Sequence, residues 1–212
     1  SNQINEKFKV DFRADNIYDI NGGNTWVTSA NADYLLRTND TDVLDFELIH
    51  VGQKGLKSGK VYFIYGDKKH REWILTDKGT TIYGKKFSTN VPYKWIREVG
   101  EYVFLATENG KVIVVDEKNR ATNVPLPEGI THINELKNTG YQLLLATNLG
   151  VVIYNPRTFK SEIINIQSPS QPLAEVKKLY VDDYGTVWTF TNGMGVTLVN
   201  PKTSEKRWLF AD

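Results

Sequence analysis

Trp188-Thr189-Phe190-Thr191-Asn192-Gly193-Met194-Gly195, with the apolar run Val196 to Val199 behind it, is the clearest copy of a phrase that recurs along this 212-residue chain. The phrase is a bulky residue, two further residues, a Thr or Ser, a short turn and an apolar run. Other copies run from Trp26 to Ser29, Trp73 to Thr76, Phe104 to Thr107 and Leu144 to Thr147. The Thr/Ser anchors Ser29, Thr76, Thr107, Thr147 and Thr191 are separated by 47, 31, 40 and 44 residues. A period of about 40–50 residues marks a propeller blade or a solenoid unit. A second phrase, Tyr154-Asn155-Pro156-Arg157-Thr158, returns 45 residues later as Val199-Asn200-Pro201-Lys202-Thr203.

Outward from the anchor, each period parses into four short strands. The first carries an apolar-x-x-apolar pair: Ile17 and Ile20, Val61 and Ile64, Ile96 and Val99, Ile133 and Leu136, Val176 and Leu179. Turns rich in Gly, Asn and Asp follow, such as Asn138-Thr139-Gly140 and Asp182-Asp183-Tyr184-Gly185, and these residues supply the backbone conformations that tight hairpins need. The second strand carries the bulky residue and ends at the anchor. The third is apolar, and the fourth is polar, as in Lys160 to Ile166 and Lys206 to Phe210. No stretch repeats apolar residues with helical spacing over three turns, so little helix is expected.

These features predict an all-β chain: a β-propeller of four-stranded antiparallel blades, about five blades in number, with units near 13–50, 60–91, 95–124, 132–167 and 175–210. Phe8 to Phe12 reads as a lone outer strand ahead of the first full unit. The count fits closure as one five-bladed domain, and it fits equally an incomplete part of a seven-bladed ring. An open arc would expose blade faces and strand edges, so self-association or imperfect closure is expected of it.

Composition narrows the functional classes. The 26 basic and 25 acidic residues leave a net charge of +1, so no long-range field draws the chain toward nucleic acid or an anionic membrane. Hydrophobic residues at 40% support a core, and 12% aromatics with one Met lean toward strands. With no Cys there is no disulfide, thiol nucleophile or thiolate metal site. No apolar run is long enough to span a bilayer as a helix.

The fifth unit, Val181-Asp182-Asp183-Tyr184-Gly185-Thr186-Val187-Trp188-Thr189-Phe190-Thr191-Asn192-Gly193-Met194-Gly195-Val196, resembles the two-component regulator propeller repeat. That repeat reads roughly acidic-Asp-x-Gly-x-apolar-Trp-x-x-Thr-x-x-Gly-apolar, followed by a strand ending near Asn/Asp-Pro. The fourth unit keeps Thr147, Gly150 and Asn155-Pro156 with Leu144 in place of Trp. The third has Phe104 and Thr107, and the second has Trp73, Thr76 and Gly79. The first departs most, with Ser29 for Thr and Ala32 for Gly. The resemblance implies the periplasmic sensor region of a hybrid two-component system histidine kinase of the Bacteroidetes kind, with an oligosaccharide as ligand and self-association through a receptor dimer. Kinase activity would then belong to domains outside this chain.

Catalytic and metal chemistry find little support. His50, His70 and His132 fall on separate units without metal-ligand spacing, and no metal site or cofactor is expected. Asp182-Asp183 reads as an Asp-rich hairpin turn rather than a metal loop. Asp19, Glu98 and Glu135 are inner-strand acids that a five-bladed glycan-active enzyme would have to use, and their apolar-x-x-apolar context reads as solvated edge positions. Lys68-Lys69-His70-Arg71 fills a hairpin turn. Trp26, Trp73 and Trp188 share one repeat position, which points to packing between blades rather than to a ligand.

Ligands bind propellers most often where between-blade connections and second-to-third-strand turns converge. On that basis the candidate ligand-binding residues are Tyr93, Trp95, His132, Gln171, Asn109, Asn148 and Asn192. The leading expectation is a non-enzymatic glycan-sensing propeller region. The alternatives are a protein-interaction scaffold and, behind it, a five-bladed glycan-active enzyme.

Overall fold

The computed structural model describes residues 2–20, 23–39, 42–166, 175–191 and 195–209, with side chains omitted at 2, 39 and 42–44. The chain divides into two compact units, Ser1–Lys94 and Trp95–Asp212. The first unit opens with the helix α1 (Asn2–Phe8) and holds two sheets. One is β1 (Ala14–Ile20), β2 (Asn24–Ser29), β3 (Tyr34–Asn39) and β4 (Asp42–His50). The other is β5 (Val61–Gly66), β6 (Glu72–Thr76), β7 (Gly79–Ile82) and β8 (Ser88–Thr89).

The second unit holds three sheets. They are β9 (Trp95–Val99) to β12 (Ala121–Asn123), with β10 (Tyr102–Ala106) and β11 (Val112–Val115) between; β13 (Ile133–Asn138), β14 (Leu143–Thr147), β15 (Gly150–Asn155) and β16 (Lys160–Ile164); and β17 (Val176–Val181), β18 (Val187–Thr191), β19 (Val196–Val199) and β20 (Lys206–Leu209). Every sheet is an antiparallel meander in chain order. The expected all-β architecture of five four-stranded antiparallel blades is therefore what the chain forms.

The apolar-x-x-apolar spacing of the inner strands has a physical cause. Side chains alternate along a strand, so residues three apart belong on opposite faces. In β5, β13 and β17 the register slips directly after the first apolar residue, between Val61 and Phe63, Ile133 and Glu135, and Val176 and Lys178. A bulge sets two residues against one and returns the i and i+3 side chains to the same face. The same slip in β1 falls between Ala14 and Asn16, which makes Ala14 the counterpart of Val61, and Ile17 the counterpart of Ile64. The pair Ile17 and Ile20 was thus read three residues out of phase. Ile17 is 65% exposed, whereas Ile64, Leu136 and Leu179 are buried.

The anchor hydroxyls close the second turn of the first four blades, and the turn after Thr191 lies outside the described residues. Thr147 Oγ1 donates to the Gly150 carbonyl at 2.8 Å and accepts from Leu149 N at 3.2 Å. Thr76 repeats this with Gly79 and Lys78 at 3.0 and 3.2 Å. Thr107 Oγ1 donates to Asn109 Oδ1 at 2.6 Å and accepts from Lys111 N at 3.0 Å. Ser29 bonds Asn31 in the same position. A hydroxyl that satisfies the backbone of a two-residue turn is why Thr or Ser recurs at this point.

Within each unit, neighbouring blades stack face to face. Ile20, Trp26 and Leu35 share a core with Ile64 and Ile74 in the first unit. In the second, Phe104 and Val112 pack with Leu136, Leu143 and Tyr154, and Leu144 and Ile153 pack with Leu179 and Val187. The bulky repeat position lies in these interfaces at Trp26, Phe104 and Leu144, and Trp73 is likewise buried. Burying an aromatic ring of this size contributes about 2–3 kcal/mol. Trp188 differs in being half-buried.

The N-terminal reading is corrected. Asn2–Phe8 is helical, and no strand forms between Phe8 and Phe12. The alternation of Phe8, Val10 and Phe12 imitates a strand. Asn5 Oδ1 instead accepts from Phe12 N at 2.9 Å, Phe8 meets Phe46 edge-on at 5.6 Å, and Phe12 is buried. The lone outer strand expected at Phe8 to Phe12 is therefore not formed.

Candidate functional site

Each blade has two ends. In the second unit one end carries the between-blade connections and the second-to-third-strand turns. The other carries the first-to-second and third-to-fourth hairpins. Of the residues singled out from sequence, Asn109, His132 and Asn148 belong to the first kind of end, and the structure shows how they are used there. Asn148 Oδ1 accepts from Thr131 N at 2.9 Å and His132 N at 3.2 Å, while its Nδ2 donates to the Gly129 carbonyl at 2.9 Å. It clamps the connection Val124 to His132. His132 is exposed, with Nδ1 2.9 Å from Thr131 Oγ1. Asn109 is exposed, and its Oδ1 holds the Thr107 hydroxyl.

Trp95 is not part of a connection but begins β9, where it packs against the core shared by the third and fourth blades. In the first unit, Tyr93 is 5% exposed, and burial raises the pKa of its hydroxyl. Gln171 and Asn192 lie outside the described residues. The structure thus brings Asn148 and His132 together. The inner-strand acids also have structural partners: Glu135 Oε2 accepts from Leu179 N at 2.6 Å, tying the fourth blade to the fifth, and Asp19 is exposed.

The opposite, hairpin rim of the second unit contains two clefts that sequence reasoning missed. One, of about 550 Å³, lies between the Asn138–Tyr141 hairpin and the Asp182–Thr186 and Asn200–Lys202 turns. The other, of about 430 Å³, lies between Val99–Tyr102, Gly140–Tyr141 and Pro156–Phe159. They share Gly140 and Tyr141 as lining. Four rings on this rim reach solvent: Tyr102, Tyr141, Phe159 at 70% exposure and Tyr184 at 95%.

Asx turns hold the rim. Asp182 Oδ1 accepts from Tyr184 N and Thr186 N at 3.0 and 2.9 Å, and its Oδ2 accepts from Trp188 Nε1 at 2.9 Å. The Trp188 bond, followed by the backbone amides, holds this carboxyl below its ordinary value of 3.8 against the opposing effect of desolvation. Asn155 and Asn200 cap the neighbouring turns through Arg157 N and Lys202 N, each at 2.9 Å. Asp182-Asp183 is thus a hairpin-turn device, and among the described residues no group of His, Cys, Asp or Glu is placed to hold a metal ion. A polar residue opening an Asx turn is a legible signal for these hairpins; the exposure of the rings at their tips is not.

No protein-family model and no curated protein matches the chain. Solved structures do. The extracellular domain of the putative hybrid two-component system BT4673 from B. thetaiotaomicron superposes with a TM-score of 0.59 at 19% identity, over 93% of this chain and 31% of that one. Virginiamycin B lyase from Staphylococcus aureus gives 0.62 at 11% identity, over 94% of this chain and 70% of that one. YCF48 bound to D1 peptide gives 0.57 at 15% identity, over 93% and 69%. This chain spans about a third of the length of the receptor domain. The sensor-propeller likeness expected from the repeat is met at the level of fold. A sensor domain, an enzyme and a peptide-bound protein share that fold, so function has to be argued from the site.

Proposed function

We propose that this chain is part of the extracytoplasmic, ligand-sensing propeller region of a hybrid two-component receptor that responds to small glycan fragments. The observation that carries this reading is the fold shared over 93% of the chain with the extracellular domain of BT4673, together with the repeat whose best copy ends at Trp188 and Thr191. Among the described residues, no helix is long and apolar enough to cross a membrane, so anchoring and signalling would fall to other parts of the receptor.

Sensing by such a module is a population shift: a ligand that binds one receptor arrangement more tightly than another favours it by that difference. Stiff blades suit this role. In the second unit, Asn134 Nδ2 donates to Glu175 Oε1 and to the Val176 carbonyl at 2.8 and 2.9 Å, and Asn138 Nδ2 donates to the Glu98 carbonyl at 2.9 Å. These bonds cross from blade to blade and favour movement as a body over internal bending.

The test is thermal melting of the chain against a panel of oligosaccharides. Ligand binding to the native state raises Tm by mass action. Concentration-dependent stabilisation by a subset of the panel is expected. A flat response across the panel, with capture of a protein partner instead, would replace sensing by scaffolding; turnover of a panel member would replace it by catalysis.

A further inference from the structure

We propose that the hairpin rim of the second unit is a carbohydrate-binding surface for a neutral oligosaccharide of at least two rings, centred on Tyr141; this rests on the glycan-sensing reading above. The clefts on either side of Tyr141 are of ligand size, about 550 and 430 Å³. An aromatic face presents a flat apolar surface to the C–H face of a sugar ring, and neighbouring polar groups bond its hydroxyls. The rim holds both components: the rings of Tyr102, Tyr141, Phe159 and Tyr184 reach solvent among the turns that carry Arg157 and Lys202.

The turns that carry the rings are braced before any ligand arrives. Thr139 Oγ1 accepts from Tyr141 N and Gln142 N at 3.4 and 3.0 Å, and the Lys202 ammonium lies 6.0 Å from the Tyr141 ring centre. Tyr184 stands on the Asp182 turn. Phe159 is fixed in a left-handed conformation, φ 57°, with its amide bonded to the Asn155 carbonyl at 2.9 Å. Braced turns lose little backbone freedom on binding.

Charge argues for a neutral ligand. The larger cleft is lined by Asp182, Asp183 and Lys202, and the smaller by Glu101 and Arg157, so a polyanion would meet a carboxylate and a polycation a basic group in each. Length follows from the shared wall. With Gly140 and Tyr141 lining both clefts, a chain of two or more sugars can occupy both at once, whereas a monosaccharide uses one.

The experiment titrates the folded chain with maltotriose, cellotriose, xylotriose, mannotriose, tri-galacturonic acid and the parent monosaccharides, read by calorimetry and saturation-transfer NMR. A neutral trisaccharide is expected to bind, with the monosaccharide weaker. Tyr141→Ala should raise its Kd about tenfold or more. Gly140→Phe should block passage between the clefts. A Cβ there meets nothing within 4 Å, so the backbone accepts a side chain at 140, and unchanged circular dichroism checks that the fold accepts the ring. His132→Ala and Asn109→Ala, at the other end of the blades, should leave binding unchanged. Binding that survives Tyr141→Ala and Gly140→Phe but is lost with His132→Ala or Asn109→Ala overturns the rim site and leaves glycan sensing standing. Preference for tri-galacturonic acid overturns the neutral assignment. A wild-type chain that binds none of these sugars overturns the rim site and the sensing reading together.

Discussion

Arg37 and Glu72 join the two blades of the first unit: the Arg37 Nε lies 3.1 Å from each carboxylate oxygen of Glu72. Glu72 Oε1 also accepts from Asn24 Nδ2 at 2.9 Å and from Trp26 Nε1 at 3.3 Å. The side chains are 10% and 23% exposed for Glu72 and Arg37, so one carboxylate satisfies the buried Trp26 indole and two half-buried donors. Removing a buried acceptor strands its partners, which costs more than the pair itself is worth. Glu72→Ala is expected to destabilise by about 3–5 kcal/mol in urea unfolding. Glu72→Gln should cost less, because the amide oxygen still accepts from the Trp26 indole. A loss below about 1 kcal/mol for Glu72→Ala would show that water replaces the network.

Asp67 and Asp182 hold the same turn position in two blades at different depths. Asp67 is buried; its Oδ2 accepts from Arg71 Nε at 2.5 Å and Trp73 Nε1 at 2.8 Å. Asp182 has the equivalent bond to Trp188 Nε1 at 2.9 Å but sits at an exposed turn. Asp67→Ala should therefore cost about 3–5 kcal/mol. Asp182→Ala should cost clearly less, since water reaches the freed donors. Equal losses in parallel unfolding curves would contradict the part assigned to burial.

How far the sequence carried is visible in these residues. The Thr/Ser anchors, the bulky position and the inner-strand pairs were legible because each answers a local demand that recurs from blade to blade: a turn to close, an interface to fill and, in four of the five inner strands, a bulge to absorb. Ile17 was misplaced because the first blade has Ala14 where the second, fourth and fifth have Val or Ile. The helix at Asn2–Phe8 was missed because seven residues are too few to show a helical period. Glu72 reads as an ordinary strand residue, and only blade stacking makes it a buried hub. The rim clefts were invisible for the converse reason: Tyr141, Phe159 and Tyr184 stand in turns whose sequences differ, so no register marks them.

Gly150 is required by geometry. Its φ is 123°, and a Cβ there would lie 2.4 Å from the Ile164 carbonyl oxygen. The backbone turns so tightly because Thr147 grips the Gly150 carbonyl. Gly150→Ala should destabilise by about 3 kcal/mol or more, through backbone strain and collision together. Gly140→Ala, with no atom within 4 Å of the added carbon, should stay within about 0.5 kcal/mol. If thermal melts rank the two alike, the close approach to β16 is not what selects glycine at 150.

Acid should loosen the Asp182 turn on the hairpin rim and the Glu175 contact at the other end of the fifth blade. The Asp182 carboxyl is lowered from 3.8 chiefly by the Trp188 indole, and Glu175 is lowered from 4.5 chiefly by Lys177 and then Asn134. A folded-state pKa below the unfolded value means that the unfolded chain binds protons more readily in acid. The stabilisation is therefore complete above about pH 5 and is lost as pH falls through the ordinary carboxylate range toward the lowered folded values. Tm should hold level from neutral pH to about pH 5 and then decline. Asp182→Asn should be less stable than the parent at pH 7 and converge on it in acid, because protonation removes the same charge from Asp182 itself. A stability difference that is unchanged between pH 7 and pH 3 would mean that the Asp182 charge does not brace the turn beneath Tyr184.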